Sequence, residues 1–185
     1  MAIRQGSLDG LCGVYSVINA TEIVIGKFMR HQHKSKGQKR KLFKALVRYL
    51  ARKNKLESAL TEGLHKIDTP GGLLDIAIKS VKQYQRLEMR KQRAFDQAPK
   101  TLDQYWERLT DHLRQNETAV IIGISGRLEH WTCVKAITPE ALILADSSGV
   151  KLILRQQCTI GPVERRLYKL WPRKTYLLSI FRPAL

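Results

Sequence analysis

Apolar residues in the first part of the chain recur at helical intervals. In residues 11–25 and 42–53 they fall three and four positions apart, which predicts two amphipathic helices. Gly26 is the expected end of the first helix, and the polar, basic residues 30–41 are expected to form a solvated loop leading into the second. A turn followed by a short buried helix is predicted for residues 67–84.

A further helix is predicted over residues 101–114, where Thr101 and Gln104 have the spacing of an N-terminal capping box. Beyond residue 116 the pattern changes to short, β-branched segments separated by turn residues, which indicates about five strands. The predicted strands cover residues 118–125, 130–137, 141–146, 150–155 and 175–181. The predicted helices therefore precede the predicted strands.

This order is typical of the α+β class, in which a mostly antiparallel sheet has helices packed on one side. The length of 185 residues suits a single domain, 1–185, with a helical half over 1–116 and a β half over 117–185. The chain has no run of about 18 apolar residues and no signal-peptide core, so we expect no membrane association. Its three cysteines are widely spaced and odd in number, which favours the reducing cytoplasm and predicts no disulfide or zinc framework.

Basic residues are concentrated in one segment. The net charge is +17, and the segment 27–55 holds 12 Lys or Arg and no acidic residue. Such a segment has three interpretations: a solvated face, a surface that binds nucleic acid through its phosphates, or a docking surface for an acidic protein. The candidate residues for binding a polyanion or an acidic partner are Lys34, Lys36, Lys39, Arg40, Lys41 and Lys44.

Cys12 lies between Gly10 and Gly13, where the first helix is expected to begin. A helix N-terminus stabilises negative charge and so favours the thiolate, which is the nucleophilic form of cysteine. A catalytic cysteine also needs a base, and the base needs an orienting group. His130 begins a predicted strand and Asp146 ends the next one, so neighbouring strands can bring them side by side. A lone cysteine is more often a small buried apolar residue, which stays open for Cys12.

Four features follow one another along the chain: Gln5, the stretch DGLCGVYS around Cys12, the pair His130-Trp131, and Asp146 followed by Ser. In this order they resemble the papain-like cysteine peptidase superfamily, nearest the bacteriocin-leader-processing, or double-glycine, peptidases of bacteria. The resemblance implies a papain-like fold, whose helical half carries the cysteine helix and packs on the sheet half. It also implies a triad of Cys12, His130 and Asp146, with Gln5 as donor to the oxyanion and with no cofactor or metal.

The activity implied by this resemblance is hydrolysis of a peptide or isopeptide bond in a protein or peptide substrate. DGLCGVYS also resembles the SUMO-type proteases, but those place the cysteine after the histidine. Six residues separate Gln5 from Cys12, a longer spacing than the family usually has, so Ser7 and the Cys12 backbone N–H stay open as oxyanion donors. Transglutaminase, deamidase or acyltransferase activity also stays open, as does a non-catalytic basic protein that binds nucleic acid or acts as an adaptor.

Overall fold

The computed structural model describes residues 10–29, 35–161 and 166–181. These residues form five α-helices and a seven-stranded sheet, which confirms the predicted α+β class. The helices are α1 Cys12–Met29, α2 Ser35–Arg52, α3 Leu56–Thr61, α4 Leu73–Gln85 and α5 Leu102–Leu113. The strands are β1 Glu88–Arg93, β2 Thr118–Gly126, β3 His130–Ile137, β4 Ala141–Leu144, β5 Leu152–Leu154, β6 Cys158–Thr159 and β7 Tyr168–Phe181. None of the described helices is both long enough and apolar enough to cross a membrane.

The strands form one sheet in the order β1-β7-β2-β3-β4-β5, with β6 paired to β7 outside this path. Every pairing is antiparallel except that of β6 with β7. The central strand β2 is buried on both faces because its side chains alternate between two apolar cores. Ala119 and Ile121 belong to one core, and Val120 and Ile122 belong to the other.

Helices cover both faces of the sheet, so the expectation of helices on one side only is wrong. Buried residues of α1, α2 and α4 pack in the core that contains Ala119 and Ile121. On the opposite face α5 contributes Tyr105, Trp106 and Leu109 to the second core. The reason lies in the central strands, whose two apolar faces would each be unfavourable if left in water.

Two helix boundaries also differ from the sequence prediction. α1 continues past Gly26 to Met29, since a single glycine inside a helix costs only about 1 kcal/mol and the buried residues before it hold the helix in the core. α2 begins at Ser35 instead of after residue 41. The Lys, Arg and Gln residues at the start of α2 are good helix formers. Their polarity therefore indicated that the segment is exposed, but it did not indicate a loop.

α5 begins as predicted, because Thr101 Oγ1 accepts a hydrogen bond from the Gln104 N–H at 3.2 Å. Its inner face, however, includes His112, which the helical pattern places on the polar flank. The His112 ring is buried, with Nε2 3.0 Å from the carbonyl oxygen of Leu178. Burial lowers the pKa of His112 below its ordinary value, so this ring is neutral and engaged in the core.

β1 was not predicted, because its sequence EMRKQR contains a single apolar residue. Met89 is buried, and the other residues of β1 lie at the edge of the sheet, where polar side chains are normal. Pairing with β7 holds the strand in register, and Lys91 forms ion pairs with Asp68 and Asp75. A strand that precedes residue 116 in the chain therefore belongs to the same sheet as the later strands.

Candidate active site

Cys12 is the first residue of α1 and is 7% exposed. The chain reaches it through Gly10, whose N–H donates a hydrogen bond to the carbonyl oxygen of Leu60 at 2.8 Å. A Cβ atom at Gly10 would lie 2.5 Å from the carbonyl oxygen of Ala59, so only glycine fits here. The last residues of α3 therefore pack against the turn before Cys12, and this contact helps to keep the thiol at the N-terminus of α1.

Strand pairing brings His130 and Asp146 together. β3 and β4 are antiparallel, with Val134 opposite Leu144. β4 ends at Leu144, but the Ala145 N–H still donates to the carbonyl oxygen of Cys133 at 2.8 Å. This continued alignment places Asp146 beside Thr132, on the face of β3 that also carries His130. The result is a hydrogen bond of 2.7 Å between His130 Nε2 and Asp146 Oδ1.

The other carboxylate oxygen of Asp146 is held by the following turn. Oδ2 accepts hydrogen bonds from the Ser148 N–H at 2.8 Å, from the Ser148 hydroxyl, and from the Val150 N–H at 3.3 Å. Burial alone would raise the pKa of Asp146, but its hydrogen bonds with His130 and Ser148 hold it well below its usual range. The buried Thr132 hydroxyl also faces this carboxylate. Among the described residues, its oxygen is the one buried polar side-chain atom that forms no hydrogen bond of regular geometry.

The electrostatics around His130 favour its protonated form. Burial lowers the pKa of His130, but the hydrogen bonds and charges of Asp146 and Cys12 outweigh this and raise it to about 9. Because Nε2 is bonded to Asp146, Nδ1 is the ring nitrogen left for Cys12. At neutral pH the site therefore holds an imidazolium between a buried carboxylate and a cysteine sulfur.

Cys12 and His130 open into one cavity of about 230 Å³. One wall of the cavity is the segment that follows α3. The indole N–H of Trp131 donates a hydrogen bond to the carbonyl oxygen of Leu64 in this segment and keeps it in place. The remaining lining residues are Glu62, Gly63, His65, Gly123, Ile124, Glu129 and Lys174. Sequence reasoning missed these residues, because they come from separate segments and form no motif.

The remaining predicted site residues whose side chains are described do not line this cavity. Gln5 and Lys34 lie outside the described residues, and of Lys36 only the backbone, in α2, is described. Arg40, Lys41 and Lys44 are exposed on α2. Lys39, on the same helix, forms an ion pair with Glu22 of α1 and is only partly exposed.

The other two cysteines are buried in the cores. Cys133 is fully buried, as expected for core packing, and burial raises the pKa of its thiol far above the usual range. Burial also raises the pKa of Cys158, to about 12. Both thiols are protonated at neutral pH, which makes them weak nucleophiles. No group of three or more His, Cys, Asp or Glu within the described ranges could hold a metal ion.

No protein-family model matches the chain, and no curated protein or solved structure is significantly similar to it. The fold is an α+β domain with helices on both faces of a mostly antiparallel sheet. The site is a cysteine at a helix N-terminus that lines one cavity with a histidine, and this histidine is hydrogen-bonded to a buried aspartate.

Proposed function

We propose that this protein is a papain-like cysteine peptidase, which hydrolyses a peptide or isopeptide bond. The observation that carries this proposal is that Cys12 lines one cavity with His130, which is hydrogen-bonded to Asp146. Cys12 and His130 come from distant parts of the sequence and line one cavity, and Asp146 is hydrogen-bonded to His130. The three residues suit the roles of nucleophile, acid–base group and orienting group. A histidine that only filled space in a core would need neither an ionised partner nor an open cavity.

The first half of the proposed reaction forms an acyl-enzyme. The Cys12 thiolate attacks the carbonyl carbon of the scissile amide, forming an S–C bond as the carbonyl electron pair moves to oxygen. When this tetrahedral intermediate collapses, the C–N bond breaks and the leaving nitrogen takes the proton from His130. The amine departs, and a thioester and a neutral imidazole remain.

In the second half, water gives a proton to His130 as its oxygen attacks the thioester carbonyl carbon. Collapse of this second intermediate breaks the S–C bond, releases the acid product and restores the thiolate and the imidazolium. Asp146 keeps the imidazole oriented through both halves, as its hydrogen bond to Nε2 leaves Nδ1 facing Cys12. The backbone N–H of Cys12 at the start of α1 is suited to stabilise each oxyanion, and the role of Gln5 stays a prediction.

Alkylation tests the nucleophile without knowledge of the substrate. A limiting dose of iodoacetamide at neutral pH should modify Cys12 well before Cys133 and Cys158, whose thiols are kept protonated by burial. His130→Ala should slow modification of Cys12 by removing the imidazolium beside it. Peptide mapping by mass spectrometry measures all three cysteines in one sample, so the two buried thiols are internal controls. Modification of Cys133 or Cys158 first would remove Cys12 as the proposed nucleophile.

Turnover is tested with a mixture of quenched fluorescent peptides and with isopeptide-linked conjugates. Cys12→Ala and His130→Ala should each reduce cleavage by about 10³-fold or more, and Asp146→Ala by less, because the imidazole keeps part of its orientation. Mass spectrometry of the products distinguishes hydrolysis from the alternative acyl transfers on the same site. Ammonia loss from glutamine, or transfer to an added amine without cleavage, would replace the peptidase with a deamidase or a transglutaminase.

A second surface supports a separate binding function. Arg40, Lys44, Arg48 and Arg52 are all exposed and follow one another at four-residue intervals along α2, about 6 Å apart along the helix axis. We call these four residues the basic row. α2 contains no acidic residue that could neutralise them.

We propose that the basic row binds the phosphates of a nucleic acid. A regular line of one charge sign suits a phosphate backbone, which binds through counterion release and needs no apolar contact. A stable protein interface normally has an apolar centre, and the exposed large apolar side chains of the described residues are Leu60, Leu152 and Leu167, none of them in α2. Phosphate contacts therefore account for this surface better than an acidic protein does.

The triple variant Arg40→Gln, Lys44→Gln, Arg48→Gln tests this second proposal. It should weaken binding to labelled duplex DNA and reduce the slope of log K against log salt by about 3, since each phosphate contact contributes about 0.9. Lys39 is left unchanged because its ion pair with Glu22 joins α2 to α1.

A matched control removes the same charge elsewhere, with Lys66→Gln, Lys100→Gln and Arg127→Gln, all exposed positions outside α2. The control should bind DNA with a nearly unchanged salt slope. Equal losses in the two triple variants would mean that the total charge, and not the basic row, attracts the nucleic acid. Iodoacetamide modification of Cys12 should be the same in both variants and the wild type.

A further inference from the structure

Lys174 lies in the candidate catalytic cavity because of a gap left by Gly123. The two residues are on adjacent strands, β7 and β2, at the point where the register between these strands shifts. A Cβ atom at Gly123 would come within 2.9 Å of Lys174 Cβ and 3.0 Å of its Cδ. The missing side chain thus makes room for the aliphatic part of Lys174, which is laid across β2 toward the cavity.

Two tryptophan rings hold the ammonium group of Lys174. Its Nζ is 5.8 Å from the ring centroid of Trp131 and 5.6 Å from that of Trp171, both within the range of a cation–π interaction. Trp131 is fixed by its bond to the Leu64 carbonyl, and Trp171 by donating from Nε1 to Ser125 Oγ at 2.8 Å. The position of the charge is therefore set before any ligand arrives, which lowers the entropy lost on binding.

Lys174 has no carboxylate partner within the described part of the chain, although two carboxylates line the same cavity. Glu62 and Glu129 are both exposed, and neither forms an ion pair with Lys174. Lys174 is only partly exposed, and it lines the same small cavity as Cys12 and His130. A fixed cation beside a nucleophile is an arrangement that selects an anionic group on the substrate.

We infer that Lys174 binds a carboxylate of the substrate close to the scissile bond, so that the preferred substrates are acidic there. The inference rests on the proposed function, since it assumes that Cys12 is the nucleophile. The carboxylate is either an Asp or Glu side chain or the C-terminal carboxylate of the substrate chain. In both cases the group sits between the ammonium of Lys174 and the attacking sulfur, within the span of the cavity.

Two alkylating reagents of nearly equal size test the charge directly. Iodoacetate carries a carboxylate and iodoacetamide does not, and peptide mapping gives the rate of each at Cys12. Removing the positive charge of this cavity-lining residue should lower the iodoacetate-to-iodoacetamide rate ratio about three- to tenfold in Lys174→Met. Iodoacetamide is the reference reagent, because loss of a cation near the thiolate affects both reagents through the thiolate, and the charge of the reagent itself enters only with iodoacetate. Lys174→Gln is a second variant with the same expected ratio, in case methionine disturbs the packing on Gly123.

Lys169→Met is the matched control. Lys169 also lies over the Trp171 ring, with Nζ 4.5 Å from the centroid, but it does not line the cavity. Its removal changes the net charge by the same amount, so it should leave the rate ratio at Cys12 unchanged. An equal fall of the ratio in Lys174→Met and Lys169→Met would mean that the net charge, and not the position of Lys174, sets the ratio. No fall in Lys174→Met and Lys174→Gln would show that Lys174 only packs on the tryptophans. Either result would overturn the inference.

Peptide substrates identify the source of the carboxylate. Matched pairs that differ only by Glu or Gln beside the scissile bond form one arm, and pairs with a free or amidated C-terminus form the other. In the arm that supplies the carboxylate, wild type should favour the acidic member by about tenfold in kcat/KM, and Lys174→Glu should reverse the preference. Equal loss of cleavage for both members of every pair would overturn the inference.

The two proposals fail in different ways. If Cys12 is inert to both reagents, the proposed peptidase function fails, and the inference that rests on it fails too. If Cys12 reacts rapidly with both reagents at a ratio independent of Lys174, the peptidase function stands and only the specificity assignment falls.

Discussion

Asp146→Asn tests whether this carboxylate sets the charge state of His130. The substitution removes one negative charge and keeps the side-chain shape and an oxygen that can still accept from the Ser148 and Val150 N–H groups. In the wild type the pKa of His130 is raised to about 9, against the lowering effect of burial. Without the neighbouring charge we expect the pKa of His130 to fall by about two units.

The same shift predicts how stability depends on pH. A pKa of about 9 in the folded state, against about 6.5 in the unfolded chain, corresponds to about 3 kcal/mol of stabilisation from the protonated His130. This contribution is complete below about pH 6.5, because the imidazole is then protonated in both states. Above that pH the folded state binds more protons than the unfolded state, so stability falls by about 1.4 kcal/mol per pH unit until about pH 9.

NMR titration and urea unfolding test this prediction. The imidazole carbon and nitrogen shifts of His130, followed by NMR between pH 5 and 10, give its pKa in wild type and in Asp146→Asn. Urea unfolding at about pH 6.5, 7.5 and 8.5 gives the free energy of unfolding of both proteins. Other titrating groups are common to the two proteins, so the difference between them isolates the His130–Asp146 pair.

His112 is the internal control, because it lies in the other core and is bonded to the Leu178 carbonyl. Its NMR titration should be the same in both proteins. The reasoning is refuted if His130 keeps a pKa near 9 in Asp146→Asn, or if the two proteins lose stability equally as the pH rises. Either result would mean that another group holds the proton and that Asp146 does not orient the imidazole.

Two further substitutions test the positioning of the site. Gly10→Ala should destabilise the protein by about 2 kcal/mol or more and slow alkylation of Cys12, because the new Cβ meets a carbonyl oxygen at 2.5 Å. Urea unfolding measures the stability, and peptide mapping measures the alkylation rate. Gly26→Ala, inside α1 and facing open space, should be neutral or up to about 1 kcal/mol stabilising. An equal loss in the two variants would contradict the steric argument. Trp131→Phe removes the hydrogen bond to the Leu64 carbonyl and should lower the free energy of unfolding by about 1–2 kcal/mol. It should also raise KM more than it lowers kcat. An unchanged KM would show that this cavity wall does not contact the substrate.

The sequence was sufficient for features that depend on near neighbours in the chain. Helical periodicity located four of the five described helices, and β-branched segments located most of the strands after residue 116. Cys12 was placed correctly at the start of α1, because the turn before it and the apolar pattern after it are local signals. The order of β3 and β4 was enough to predict that His130 and Asp146 would meet, since consecutive strands usually pair.

Charge patterns were less informative than apolar ones. The bases at the start of α2 were interpreted as a loop, and β1 was not recognised at all. Polar side chains are compatible with a loop, an exposed helix face and an edge strand, so their presence indicates exposure and not conformation. The conformation of β1 is decided by its partner strand β7, which supplies the backbone hydrogen bonds.

Only the tertiary structure decided how the site is enclosed and which basic side chain lines its cavity. The cavity wall after α3 is held by Trp131 from β3, and Lys174 reaches the cavity because Gly123 on the adjacent strand leaves room for it. No local pattern encodes such contacts, because each depends on the register of two strands and on the absence of one side chain. The sequence by itself determined which groups can react, and packing determined which of them meet, since burial and proximity are properties of the folded chain alone.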